Sequence, residues 1–261
     1  MSYNLEEITN DFFFNVGLGR FNQDIVRYYK FAKSLTAGTT PKDVWSRSHN
    51  LTYSTVPEAY YVISDNIADI GVLINIEGIA EDGQFIREPV TLNGTTAIQL
   101  TGLWYRSFRI RIVNGQSNLG NIYVSTNPTT IPTDTQIRAF ALLGTAEIAG
   151  ASFMSHFTVP KGYVGMIYTY TTNAPGNADI EFNAYARKDQ GVFVPYDLMS
   201  ITGNSKQRDF NFLAFPEGYD FKVMVSSSST VNRNIAVTYD IILVNAEWYK
   251  PQFTLPRGIY V

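Results

Sequence analysis

The sequence predicts an all-β protein: two consecutive antiparallel β-sandwich domains, jelly-roll-like, with extended arms at both termini. Three observations carry that prediction. Short runs rich in Val, Ile, Thr, Tyr and Phe alternate apolar and polar residues with a period of two, which puts one face of a strand in a core and the other outside. Turn residues recur between those runs, in EDG (81–83), Asn93-Gly94 and Asn114-Gly115, as they do in sandwiches and barrels. No sustained helical period intervenes, which argues against an α/β arrangement. At 261 residues the chain is long enough for one large or two ordinary cores.

Residues 1–48 read as an N-terminal arm. Its segment DFFFNVGLGRF (11–21) is apolar and broken by glycines. Phe21, Ile25, Tyr28, Tyr29 and Ala32 give a helix-like stripe, so residues 25–33 are expected to form one short helix or an extended segment. Aromatics this dense are an aggregation liability when exposed. Two readings follow: a strap on the chain's own first domain, or an arm that docks on a neighbouring subunit through Phe12, Phe13, Phe14, Leu18 and Phe21.

The first β domain spans 49–127, with strands expected near 59–64, 71–79, 85–92, 96–101, 106–114 and 121–125. In GVLINIEG (71–78), Val72, Ile74 and Ile76 alternate with Leu73, Asn75 and Glu77. Asn93-Gly94 tolerates the positive φ angles of a type I′ turn, so a tight hairpin is expected between the runs on either side. In RSFRIRIV (106–113), Phe108, Ile110 and Ile112 share one face while Ser107, Arg109 and Arg111 share the other. Arg106, Arg109, Arg111 and, across the turn, Arg87 form a set with two readings. They lie on a solvated outer face, or they grip a neighbour's carboxylates bidentately.

Residues 128–136 are the expected linker, because NPTTIPTD (127–134) holds two prolines among turn-forming residues and makes a poor central strand. The second β-sandwich domain spans 137–247, with strands near 152–158, 164–172, 179–187, 192–198, 208–213, 220–228 and 234–245. Three segments, VPEAY (56–60), VPKGY (159–163) and FPEGY (215–219), each put Pro-x-small-Tyr just before an expected strand. Proline fixes φ for a turn there and glycine frees the chain. Residues 248–261 form a C-terminal tail stiffened by two prolines, in which Trp248, Tyr249, Phe253 and Leu255 are candidate contacts.

Composition narrows the function. Hydrophobic residues make up 45% and charged residues only 16%, below the usual quarter, a balance suited to large surfaces facing other protein. A formal net charge of −3 supplies no basic face for general nucleic-acid binding. Without cysteine there is neither a disulfide framework nor a thiolate metal site. The N-terminal MSYNLEEITNDFFFNVGLG has no basic stretch ahead of a long apolar run, so a soluble protein made in the cytoplasm without a secretory leader is expected. No run reaches the ~18–20 apolar residues of a membrane span. The two histidines, His49 and His156, read as structural, and no metalloprotease, nucleophile-elbow or phosphate-loop motif is present. Asp65 with Asp69, and Glu81 with Asp82, sit in turns that match no EF-hand spacing and read as solvated. A carboxylate pair for glycoside hydrolysis is assembled in space and stays open on sequence alone. The expectation is a non-enzymatic protein that needs no cofactor and no metal.

Around the expected hairpin the residues resemble a known family. EPVTLNGTT (88–96), WYRSFRI (104–110) and GQSNLGNIYV (115–124) look like tailed-bacteriophage virion structural proteins. That family carries a Glu-x-Val-x-Leu-Asn-Gly-Thr hairpin, an Arg-containing strand, a Gly-x-x-Asn-x-Gly-x-Ile loop, and a second β domain reached through Val-Pro-x-Gly. Here FTVPKGY (157–163) stands at that place, and Asp43, Val44 and Trp45 resemble the family's short Asp-Ile-Trp segment. The likeness covers most of residues 40–245; the Phe-rich N-terminus and the Pro-containing tail depart from it. It implies a virion structural protein, most naturally a capsid decoration or cement protein that bridges subunits, or else a tail fibre, adaptor or collar component. Implied partners are the major capsid protein or other virion proteins and further copies of the chain, with no specific nucleic acid and no membrane. The implied location is the virion, after synthesis in the host cytoplasm. A reading from a different class is a host-glycan-binding module, with Trp104 and Tyr105 as ring platforms and Trp248 and Tyr249 as further suspects.

Overall fold

The computed structural model describes residues 24–113, 116–143, 152–173, 179–202, 205–227 and 233–252. Within them the chain is an all-β sandwich protein whose paired strands are all antiparallel. Two sheets come from residues 61–141. One runs β6 (Ile98–Gln99), β3 (Tyr61–Ser64), β8 (Ile122–Ser125), β9 (Ile137–Ala141); the other runs β5 (Phe85–Asn93), β4 (Ile70–Ala80), β7 (Trp104–Ile112). They enclose a core that includes Tyr60, Ile74, Ile76, Trp104, Ile110 and Ile122. Two more sheets enclose a second core around Phe157, Phe182, Phe221, Val237 and Ile241. One runs β1 (Ile25–Ala37), β16 (Arg233–Asn245), β11 (Tyr163–Asn173), β14 (Ser205–Phe215). The other runs β10 (Phe157–Thr158), β15 (Tyr219–Ser227), β12 (Asp179–Lys188), β13 (Val194–Thr202), with β2 (Lys42–Asp43) also paired to β15.

The segment that the sequence left between helix and extended chain is β1, a strand of 13 residues paired with β16 from Ile25↔Val244 to Ala37↔Arg233. Beyond Ile25, which is buried at the strand's start, the buried positions Tyr28, Lys30, Ala32 and Ser34 follow the strand period. Two of the four are polar, which hid the alternation behind the apolar stripe. Residues 25–43, read as part of an arm, thus add strands to the sheets of the second core.

Residues 128–136, read as a linker, join β8 to β9, which are neighbours in one sheet. Asn127 Oδ1 accepts from Thr129 N at 3.0 Å and Gln136 Oε1 from Thr133 N at 2.9 Å, so side chains brace this loop at both ends. Strand β9, expected in the second domain, therefore pairs within the first pair of sheets. The C-terminal tail does not begin extended either: α1 (Ala246–Gln252) follows β16 directly. Asn245 Oδ1 accepts from Glu247 N at 2.9 Å, the bond of an N-cap.

The hairpin expected at Asn93-Gly94 is a corner between sheets. Strand β5 pairs with β4 and β6 with β3, and only a bridge between Asn93 and Thr96 joins the two runs. Thr96 N donates to Asn93 O at 3.0 Å, and Gly94 has φ +56 while Asn93 has no positive φ. A type I′ loop needs two consecutive positive φ angles; with one, at Gly94, the chain turns and changes sheet. A Cβ on Gly94 would lie 2.6 Å from the Ile67 carbonyl oxygen, so glycine is required for space as well as for φ.

Strand β7 links the cores. Its register against β4 shifts twice, opposite Glu77/Gly78 and Ile79/Ala80. Such bulges re-aim side chains: Trp104 and Ile110 fill the first core, while Phe108 fills the second. Gly78 lets β7 come close at the crossing, because a Cβ there would lie 2.0 Å from the Arg106 carbonyl oxygen.

Candidate functional site

The four arginines singled out in the sequence divide among three environments. Arg106, 3% exposed, is enclosed between the cores and presents nothing to a neighbour. Its Nε and Nη2 donate to Asp220 Oδ1 and Oδ2 at 3.2 and 2.9 Å, and its Nη1 to the Ser54 and Tyr105 carbonyls at 2.7 and 2.8 Å. Asp220, 1% exposed, also accepts from Arg187 Nε at 2.9 Å and from Thr158 Oγ1 at 2.6 Å. Burial works against the Arg106 charge, but Asp220 outweighs it and holds the guanidinium pKa above its ordinary value. The Tyr53 ring sits among the cations, 5.3 Å from the Arg106 guanidinium and 4.5 Å from that of Arg187, an attraction that strengthens where water is excluded. Lys222 completes the group through Asp43 Oδ1 at 2.9 Å. This junction bolts β7 of the first core to β15 of the second.

Arg87 and Arg109 share a different carboxylate. The register places Glu77 opposite both, and Glu77 meets Arg87 Nη2 at 2.7 Å and Arg109 Nη1 at 3.3 Å. The Tyr28 hydroxyl donates to the same Glu77, which ties β1 to β4. Arg87 reaches Glu77 from an exposed position, and Arg111 is exposed as well. Beside this cluster Lys30 is buried, and its Nζ donates to the Phe108 carbonyl at 2.6 Å. Burial, then the nearby Arg109 charge, pushes the Lys30 pKa well below its ordinary value.

His156 is a packed element of the interior, and His49 is half-buried with its Nδ1 3.1 Å from Asp134 Oδ2. His156 lies edge-on to Tyr53 and Phe108, and burial, then Lys30 and Arg106, hold its pKa well below the usual 6.5. The His49 carbonyl accepts from Trp45 Nε1 at 2.6 Å.

Asp65 and Asp69, read as a solvated turn, are anchors instead. Asp69 is fully buried and accepts from Ser64 Oγ at 2.5 Å, Leu119 N at 2.7 Å and Gly120 N at 3.0 Å. Asp65 accepts from Asn121 N and Nδ2, both at 2.7 Å, and from the Tyr123 hydroxyl at 3.1 Å. The loops at 65–70 and 117–121 are thereby clamped together, and they present Ile67 (71% exposed), Ile70 (64%) and Leu119 (58%) to solvent. The sequence reading missed this end of the molecule. Its signal was a pair of aspartates beside isoleucines in a loop, where apolar side chains have no core to enter. Among the described residues, no group of three or more His, Cys, Asp or Glu could hold a metal ion.

Trp104 cannot serve as a ring platform: it is fully buried, with Nε1 donating to the Thr101 carbonyl at 3.1 Å. Tyr105 is half-buried and lines a cleft of about 720 Å³. Tyr249 is 8% exposed and packs with the partly buried Trp248 against Ile25, Val164 and Ile242. Phe12, Phe13, Phe14, Leu18, Phe21, Phe253 and Leu255 lie outside the described residues.

Together these features define an all-β sandwich protein whose buried charges join two cores and whose exposed apolar residues stand on clamped loops. No protein-family model and no curated protein matches the chain. Among solved structures it is similar to a chain of infectious bursal disease virus, Gx strain, at 10% identity over 85% of this chain and 73% of that one, with a TM-score of 0.25. It is also similar to the infectious bursal disease virus VP2 subviral particle, at 10% identity over 87% and 73%, TM-score 0.24. A third is the STIV MCP, at 10% identity over 88% and 99%, TM-score 0.23. Likenesses this weak in identity and TM-score carry no argument about function.

Proposed function

We propose that the chain is a non-enzymatic virion structural protein that decorates and reinforces a capsid by bridging neighbouring subunits. The sequence resemblance over residues 40–245 supports the class. The observation that carries the role is the clamped apolar end formed by Ile67, Ile70 and Leu119. Covering an exposed Ile or Leu side chain contributes about 1.5–3 kcal/mol, so three of them supply several kcal/mol to a contact. Association normally costs loop ordering, and here Asp69 and Asp65 hold the loops in place before contact. Partners under this reading are the major capsid protein or a second copy of the chain.

Co-sedimentation of purified protein with virions stripped of it tests the role. The exposed-site variant Ile67→Asp/Ile70→Asp is expected to melt like the wild type and to lose at least tenfold in particle affinity. Full attachment of that variant overturns the assignment of this end as the contact surface.

A further inference from the structure

The three Pro-x-small-Tyr segments of the sequence meet in space. Val56 and Pro57 of the first, Val159 and Lys161 of the second, and Pro216 and Glu217 of the third line the cleft of about 720 Å³ that Tyr105 also borders. That volume lies within the range of small-ligand sites. The cleft has fixed walls. Tyr163 N donates to Pro160 O at 3.2 Å and Tyr219 N to Pro216 O at 3.4 Å, with Gly162 and Gly218 at φ +83 and +81, where a type II turn calls for glycine. Gly218 N then donates to Val159 O at 3.0 Å, and Lys161 N to Gly83 O at 2.8 Å. Glu217 Oε2 accepts from Gly162 N at 2.6 Å. Turns from both cores are stitched into one frame.

We propose that this cleft binds a neutral saccharide. A sugar ring offers C–H faces for an aromatic wall and hydroxyls for planar polar groups. Tyr105 supplies the wall, and the Arg106 guanidinium, 4.0 Å from its ring centroid, fixes the ring's setting. Carboxylates and ammonium groups on the turns supply donors and acceptors for hydroxyls. Glu81, Asp82, Asp189 and Glu217 outnumber Lys161 and Lys188 around the rim, so the rim is net negative and repels sialylated or sulfated chains. A protein partner would want deep apolar sockets for its anchor side chains. Among the apolar residues at the cleft, Ile79 and Val159 are 2% and 1% exposed and offer none, and Val56, 59% exposed, stands out into solvent and forms no socket. This assignment is independent of how the chain attaches to a particle.

Calorimetric titration of the intact protein with cellohexaose, maltohexaose and chitohexaose, and separately with sialyllactose and oligolysine, tests the proposal. At least one neutral oligosaccharide is expected to bind, and sialyllactose is not. Tyr105→Leu keeps bulk and removes the ring; Asp189→Asn removes one rim charge at an exposed position with φ 52, which asparagine tolerates. Each is expected to weaken saccharide binding about tenfold or more, and Asp189→Asn keeps the test valid if Tyr105→Leu fails to fold. Absence of binding by all three neutral hexasaccharides overturns the proposal. So does binding that neither variant changes, and so does oligolysine occupying the cleft while no saccharide binds.

Discussion

Replacing Asp220 by asparagine probes the joint between the two cores. The carboxylate accepts two bonds from Arg106, one from Arg187 and one from Thr158. The amide of Asp220→Asn would keep the shape but lose the charge, leaving Arg106, 3% exposed, with only the Ser54 and Tyr105 carbonyls as full-strength acceptors. Removing one partner of a buried ion pair costs about 3–5 kcal/mol, a large share of the ~5–15 kcal/mol that holds a typical domain. Because Arg106 sits on β7 and Asp220 on β15, the loss also loosens one core from the other. Guanidinium unfolding would be followed, in a Trp248→Phe background, by tryptophan fluorescence, which then reports the first core through Trp45 and Trp104, and by far-ultraviolet circular dichroism, which reports both. The wild-type transitions should coincide and those of Asp220→Asn should separate. The double variant Arg106→Met/Asp220→Leu removes both charges and should recover much of the loss. A cost under about 1 kcal/mol for Asp220→Asn refutes the reasoning, as does a double variant no more stable than the single one.

Further outcomes follow from the same geometry. Gly94→Val places a Cβ against the Ile67 carbonyl at φ +56 and should cost about 1–3 kcal/mol; an unchanged melting temperature contradicts the corner. Asp69→Ala orphans three donors on the clamped loops and should lower the melting temperature and open residues 65–70 to protease; wild-type resistance contradicts the anchor role. His156 titrates below its ordinary 6.5 because burial, Lys30, Arg106 and Lys222 oppose its proton. A depressed folded pKa gives stability that is full above 6.5 and is lost as pH falls below it, since the unfolded chain takes up the proton first. His49, lowered by burial, acts with the same sign. His156→Phe should therefore flatten the decline of stability below pH 6.5, and an identical slope contradicts this origin.

The strands were largely legible from sequence, because apolar alternation and turn residues report half-buried strands directly. Expected 71–79, 179–187 and 234–245 became Ile70–Ala80, Asp179–Lys188 and Arg233–Asn245. Strand β1 escaped because Lys30 and Ser34 occupy its inward positions, and no local pattern distinguishes a buried lysine from a surface one. Arg106 was readable in part: it shares parity with Phe108 and Ile110, the buried face, and grouping it with Arg109 and Arg111 ignored that. Its partner was not readable, since Asp220 lies 114 residues away and the bulges that turn β7 between cores leave no mark in alternation. The Asn93-Gly94 signal located a turn correctly but said nothing about which sheets its flanks join. The cleft likewise depends on three repeated turns converging, and sequence revealed the repetition without the convergence.

A density map of the intact virion tests the central claim most directly. The account predicts this chain at the joints between capsid subunits, in numbers comparable to the major capsid protein, with residues 65–70 and 117–121 pressed against a neighbour. A chain found only at the tail, or one on the head with Ile67, Ile70 and Leu119 facing open solvent, contradicts it.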